Sequence, residues 1–135
     1  MNPESIPPSG YPPLPRETVV LRAMLRRRWI DQRNQIVLPQ AFVRRDAPAD
    51  PDGLSVGVFC DVDDYLKGFR ETFGTATLLV GHVRDEGLDI VQDEPTHACI
   101  KGLPYPKDDP DGAQRLANAL ARKACLLPRS TEAAT

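Results

Sequence analysis

Apolar residues recur along this chain in short runs rather than long ones. Within residues 75–102 the runs 78–80, 88–91 and 98–100 are separated by Gly or Pro, the pattern of strands that cross a small core. That stretch reads as the centre of a sheet. Upstream, Leu54, Val56, Val58 and Cys60 alternate with Ser55, Gly57 and Phe59, the period of a strand. Asp61 then stands where it can cap a helix over 62–73, in which Val62, Tyr65, Leu66, Phe69 and Phe73 recur at helical spacing and Gly74 ends the run. Gly68, inside that helix, costs about 1 kcal/mol relative to Ala and leaves room for a close contact.

A second helix is predicted over 110–126. Asp109 is its N-cap and Pro110 its first residue. Ala113, Leu116, Ala117, Leu120, Ala121 and Ala124 form one apolar stripe, Arg115, Asn118, Arg122 and Lys123 lie outside it, and Pro128 stops it. Residues 18–30 fit either a strand or a helix with Leu21, Leu25 and Trp29 four apart, and are read as a strand opening into a short helical turn. Residues 35–43 read as a strand interrupted at Pro39, near an edge or a bend. The fold expected is α+β: a small, mostly antiparallel sheet of about five strands packed by two amphipathic helices.

Length and proline content set the boundaries. The 135 residues make one globular domain over 16–127, preceded by a flexible head, 1–15, with six prolines, and followed by a frayed tail, 128–135. In the head, Pro12-Pro13-Leu14-Pro15 has the form of a polyproline segment that docks in an aromatic groove. Asp50-Pro51-Asp52-Gly53 and Asp109-Pro110-Asp111-Gly112 are turn chemistry, and neither has the further carboxylates of a calcium loop. Cys60, Cys99 and Cys125 are odd in number and widely spaced, and the N-terminus has no basic and apolar leader, which together favour a reduced cytoplasm. No apolar run approaches the roughly 18 residues of a membrane span.

The formal net charge of −2 conceals a division. Over 16–45, eight arginines meet two acids, a balance of +6; over 46–111, fifteen acids meet five basic residues, a balance of −10. The halves can neutralise each other across one fold, or the basic segment can meet an acidic partner. Arg26, Arg27 and Arg28 are the strongest cluster, and Arg22 and Arg33 extend it. Nucleic-acid binding is not expected, because the chain is acidic overall and its scattered aromatics make no stacking platform.

Candidate chemistry is sparse. Strand alternation puts His97, Cys99 and Lys101 on one face, with Thr96, Ala98 and Ile100 on the other. A zinc site would have to recruit His82 or Cys60, and with two histidines and no Cys-x-x-Cys no metal is expected. A nucleophilic Cys60 or Cys99 beside His97 lacks an elbow or oxyanion loop. The three cysteines are read as small core residues, with Cys125 flanking the helical stripe, and His97 as a hydrogen-bonded strand residue. Asp61, Asp63 and Asp64 sit where a helix dipole favours negative charge, which accounts for them without a cation.

Two resemblances add to this. Trp29 closing an Arg-rich opener, Gln40-Ala41-Phe42, Gly53-Leu54-Ser55-Val56 and Pro95-Thr96-His97-Ala98-Cys99-Ile100-Lys101-Gly102 together resemble small bacterial proteins of unassigned function, over about residues 19–102. The order of an early strand with Arg22, a later strand with Ser55, a helix and further strands is similar to ADP-ribosyltransferase-like folds. That likeness implies that Arg22 holds phosphate, Ser55 steadies the ribose side and His97 orients cofactor or substrate, with Glu94 nearest to the family's catalytic glutamate, although nothing around it matches the family's motif.

The function expected is a cytoplasmic protein-interaction or accessory module without evident catalytic chemistry and without a cofactor. Its partner is a protein with an acidic surface, met through Arg22, Arg26, Arg27, Arg28 and Arg33, and self-association as a homodimer is compatible with it. The alternative is an ADP-ribosyltransferase-like NAD-binding enzyme, or a degenerate relative, working through Arg22, Ser55 and His97.

Overall fold

The computed structural model describes residues 10–45 and 53–127. Its main sheet is open and antiparallel, in the order β6-β7-β4-β1-β5-β8. The strands are β1 (Val19–Ala23), β4 (Leu54–Val58), β5 (Thr75–Leu79), β6 (Asp89–Glu94), β7 (His97–Lys101) and β8 (Cys125–Leu127). A separate hairpin pairs β2 (Ile30–Asp31) with β3 (Ile36–Val37). Three α-helices accompany them: α1 (Val62–Leu66), α2 (Val80–Asp85) and α3 (Pro110–Lys123). The α+β class expected from the sequence is the class observed, with six strands in the sheet and a third helix.

The alternation within each strand decides which face is core. Register pairs Val56 with Ala98, Leu54 with Ile100, Val20 with Val58 and Val20 with Leu78, so these side chains share one face. They join Phe42, Met24 and the α3 residues Leu116, Ala117, Leu120 and Ala121 in a single buried cluster. The opposite face carries Val19, Ser55, Cys125 and Leu127, all exposed, together with half-buried His97 and Lys101.

Local signals account for most boundaries. The Asp61 carboxylate accepts the Asp64 N–H at 2.9 Å, and that of Asp109 accepts the Gly112 N–H at 3.0 Å, so both predicted caps form. Residues 18–30 do open as a strand, β1, followed by a 3-10 turn at Arg27–Trp29. Pro39 begins another 3-10 turn, Pro39–Phe42, whose Ala41 and Phe42 are buried and which packs on α3.

Four expectations are corrected. The helix predicted over 62–73 stops at Leu66, because Gly68 disfavours its continuation and the ladder beyond pulls the chain away: the Phe73 N–H donates to Met24 O at 2.8 Å, and the Met24 N–H to Gly74 O at 2.9 Å. The second helix ends at Lys123 rather than 126, since residues 125–127 pair with β5 as an edge strand. Cys125 is therefore exposed at that edge instead of buried beside the stripe. Finally, the end of the proline-rich head is not free: Leu14 is buried in the core, and its carbonyl accepts a hydrogen bond from Arg84. Within Pro12-Pro13-Leu14-Pro15, Leu14 packs on the chain's own body and the three prolines stay exposed. Residues 1–9, the first aspartate-proline turn at 50–52 and the tail at 128–135 lie outside the described residues. Among the described residues no helix is long and apolar enough to cross a membrane.

Candidate functional site

On the open face of the sheet, β7 carries its functional groups in the order the alternation predicts. Ser55 on β4 stands directly opposite Cys99, and Gly57 opposite His97. The neighbouring strand β6 then adds a residue that the sequence reading did not include. Its register with β7 shifts between Gln92 and Glu94, which leaves Asp93 as the extra residue of a bulge. Asp93 Oδ1 lies 2.6 Å from His97 Nδ1, and the Cys99 thiol points to Asp93 Oδ2 with Sγ 3.8 Å away. One donor atom from each of Asp93, His97 and Cys99 falls within 4.8 Å of the others. Asp93 is exposed, His97 half-buried and Cys99 buried.

His97 also lines a cleft of about 400 Å³ with Phe59, Cys60, Tyr65, Phe69 and Thr96. Tyr65 and Phe69, 5.2 Å apart in an edge-to-face pair, form its aromatic wall. Phe59 sits in the left-handed backbone region at φ 55°, uncommon for a bulky residue, and holds its ring 61% exposed at the rim. Burial, and after it the charges of Asp61 and Asp64, push the Cys60 thiol up from its ordinary range. Burial raises the Tyr65 phenol as well. None of the three cysteines forms a disulfide.

Arg22 does not belong to this face. Because it is in phase with Val20 and stands opposite Ala76 on β5, its side chain enters the core, where it is 4% exposed. There Nε donates to Ala41 O at 2.8 Å and Nη1 to Ser55 O at 2.9 Å. The structure brings Ser55 and His97 to one face and leaves Arg22 on the other, so the three do not converge on one pocket. Glu94 is exposed at the end of β6, and Asp93, not Glu94, touches the histidine. Arg22 is equally no part of an exposed basic surface.

Arg26, Arg27, Arg28 and Arg33, the other arginines of the predicted surface, are exposed. Trp29, 4% exposed, plugs the core and anchors the Arg27–Trp29 turn, so Arg26, Arg27 and Arg28 stand exposed beside it. Arg27 lies over the Phe73 ring at 5.3 Å. Arg45, remote in sequence, reaches the same Trp29 at 5.8 Å. Arg33 is exposed in the β2–β3 turn, which Asp31 ties by accepting from both the backbone N–H (3.1 Å) and the side-chain amide (2.9 Å) of Asn34. These bonds hold the Asp31 carboxyl below its usual value. Arg16 pairs with Asp85 at 2.9 Å, but among the described residues Arg26, Arg27, Arg28 and Arg33 make no ion pair. Comparison of the chain with protein-family models, with curated proteins and with solved structures finds no match.

Proposed function

We propose that the protein is an interaction module that binds an acidic protein surface through the arginines gathered about Trp29. The observation that carries this reading is the exposure of Arg26, Arg27, Arg28 and Arg33 without an acidic partner among the described residues. Self-repulsion in such a cluster is relieved when a partner supplies carboxylates, and desolvated arginine is a frequent anchor of protein interfaces. A protein surface fits better than nucleic acid because the aromatic residues here do not offer stacking faces. Trp29 is buried, and Phe73 is half-buried beneath Arg27.

The test is charge reversal at Arg26, Arg27 and Arg28 together, read by binding to immobilised polyglutamate and to single-stranded DNA at low and at physiological salt. The expected result is salt-sensitive binding to polyglutamate that the triple variant loses while its melting temperature stays within a few degrees of the parent's, since exposed substitutions cost little. Binding that survives the reversal, or tighter retention of the DNA, overturns the assignment.

A further inference from the structure

We infer that Asp93, His97 and Cys99 form a mononuclear site for a divalent transition metal of the zinc class. The three side chains bring one donor atom each to within 4.8 Å of the others. A tetrahedral ion with bonds of about 2.0–2.3 Å holds its donors roughly 3.3–3.8 Å apart. Asp93 Oδ1 and His97 Nδ1, 2.6 Å apart, are closer than that spacing, and Asp93 Oδ2 and Cys99 Sγ, 3.8 Å apart, lie at its upper end. An ion between them requires the Asp93 and His97 donors to move apart by side-chain rotation, with the hairpin backbone unchanged.

The donor set chooses the metal. A thiolate and an imidazole select zinc-like ions over magnesium or calcium, which want oxygen. Charge is matched as well: one carboxylate and one thiolate neutralise a divalent cation, so a half-buried site carries no net charge when loaded. On binding, the Cys99 thiol proton leaves to solvent, and His97 coordinates through neutral Nδ1 with its proton on Nε2. Counting cysteines and histidines alone hides the site, because its third ligand is an aspartate delivered by the β6 bulge.

Three protein ligands leave a fourth position open, the arrangement of sites that bind an exchangeable ligand rather than purely structural ones. Since His97 also lines the cleft walled by Tyr65 and Phe69, that position adjoins an aromatic pocket. The exogenous ligand that suits it is a small aromatic or apolar molecule bearing a metal-binding anionic or nitrogen group.

The experiment is Co2+ titration of the full chain, stripped of metal with EDTA and kept reduced, followed by near-ultraviolet and visible absorption. One equivalent is expected to bind, with a thiolate-to-cobalt charge-transfer band and intense ligand-field bands. Cys99→Ser should remove the charge-transfer band, and Cys60→Ser and Cys125→Ser should keep it. Asp93→Asn, a change at an exposed position that leaves the core intact, should weaken binding about tenfold or more. If Cys99→Ser fails to fold, Asp93→Asn and His97→Gln decide the matter alone. Absence of the charge-transfer band in the parent, its persistence in Cys99→Ser, or unchanged affinity in both Asp93→Asn and His97→Gln overturns the site.

Discussion

The ring of Tyr65 lies directly over Gly57, so close that a Cβ on the glycine would sit 2.5 Å from the ring's Cδ1. The same side chain reaches past β4 to accept the Ala23 N–H on its hydroxyl at 3.0 Å. These contacts explain how five residues of α1 hold their place on the open face. β1 and β4 share only the register pairs Val20–Val58 and Leu21–Gly57. Where the two strands part, the phenol of Tyr65 satisfies a backbone donor that the ladder no longer serves.

Two substitutions separate these roles. Gly57→Ala forces the ring aside and is expected to destabilise by about 1–3 kcal/mol through overpacking. Tyr65→Phe keeps the packing and orphans the Ala23 N–H, at a cost of about 1–3 kcal/mol. Thermal unfolding checks both, and in a domain of this size each kcal/mol should lower the melting temperature by about 4 °C. A Tyr65→Phe protein as stable as the parent would show that water replaces the hydroxyl.

Arg22 bridges the same gap from the core side, tying Ala41 O in the Pro39–Phe42 turn to Ser55 O on β4. A buried guanidinium is costly unless its donors are used, and here Nε and Nη1 serve as structural links between the turn and β4. Arg22→Ala leaves two carbonyls without their partner and is expected to destabilise by about 3 kcal/mol or more; Arg22→Lys, a single point charge in place of a planar fork, recovers only part of this. Denaturant unfolding measures the difference. The result also discriminates between functions: a phosphate-holding arginine can be replaced with little loss of stability, whereas this one cannot.

The sequence made the capped helices and the alternating strands legible because those signals are local. Asp61 and Asp109 announce their helices within three residues, and the Leu54–Val58 alternation needs no partner to be read. The six residues of α2 are too few to show a period, and β8 is strand only because β5 offers it an edge. Arg22 is in phase with Val20, which puts it on the core side of β1, but its charge and its apolar neighbours Leu21 and Ala23 argued for the surface. Part of the approach to His97 was within reach too: a hairpin turning at Pro95 and Thr96 pairs Glu94 with His97 and leaves Asp93 one residue away. What could not be read was the bulge that sets the aspartate against both His97 and Cys99.

The three thiols should differ in reactivity, in an order set by their surroundings. Cys125 is exposed on the edge strand β8, Cys60 lines the aromatic cleft, and Cys99 is buried beside Asp93. Desolvation, reinforced by the carboxylates of Asp61 and Asp64, holds the Cys60 pKa above its ordinary 9.0. At pH 8 Cys60 therefore carries less thiolate than a free thiol, and because the thiolate is the nucleophile its alkylation should lag. The rate should climb only as the pH rises beyond the usual thiol range. Asp64→Asn removes one of the raising charges, so the climb should shift to lower pH. Iodoacetamide labelling read by peptide mass spectrometry between pH 7 and about 10 follows all three sites at once, over the range where thiols titrate. Cys125 should label first and Cys99 last. Cys60 reacting as fast as Cys125 at pH 8 would mean that the cleft is wetter, and its thiol less shielded, than its packing against Tyr65 and Phe69 requires.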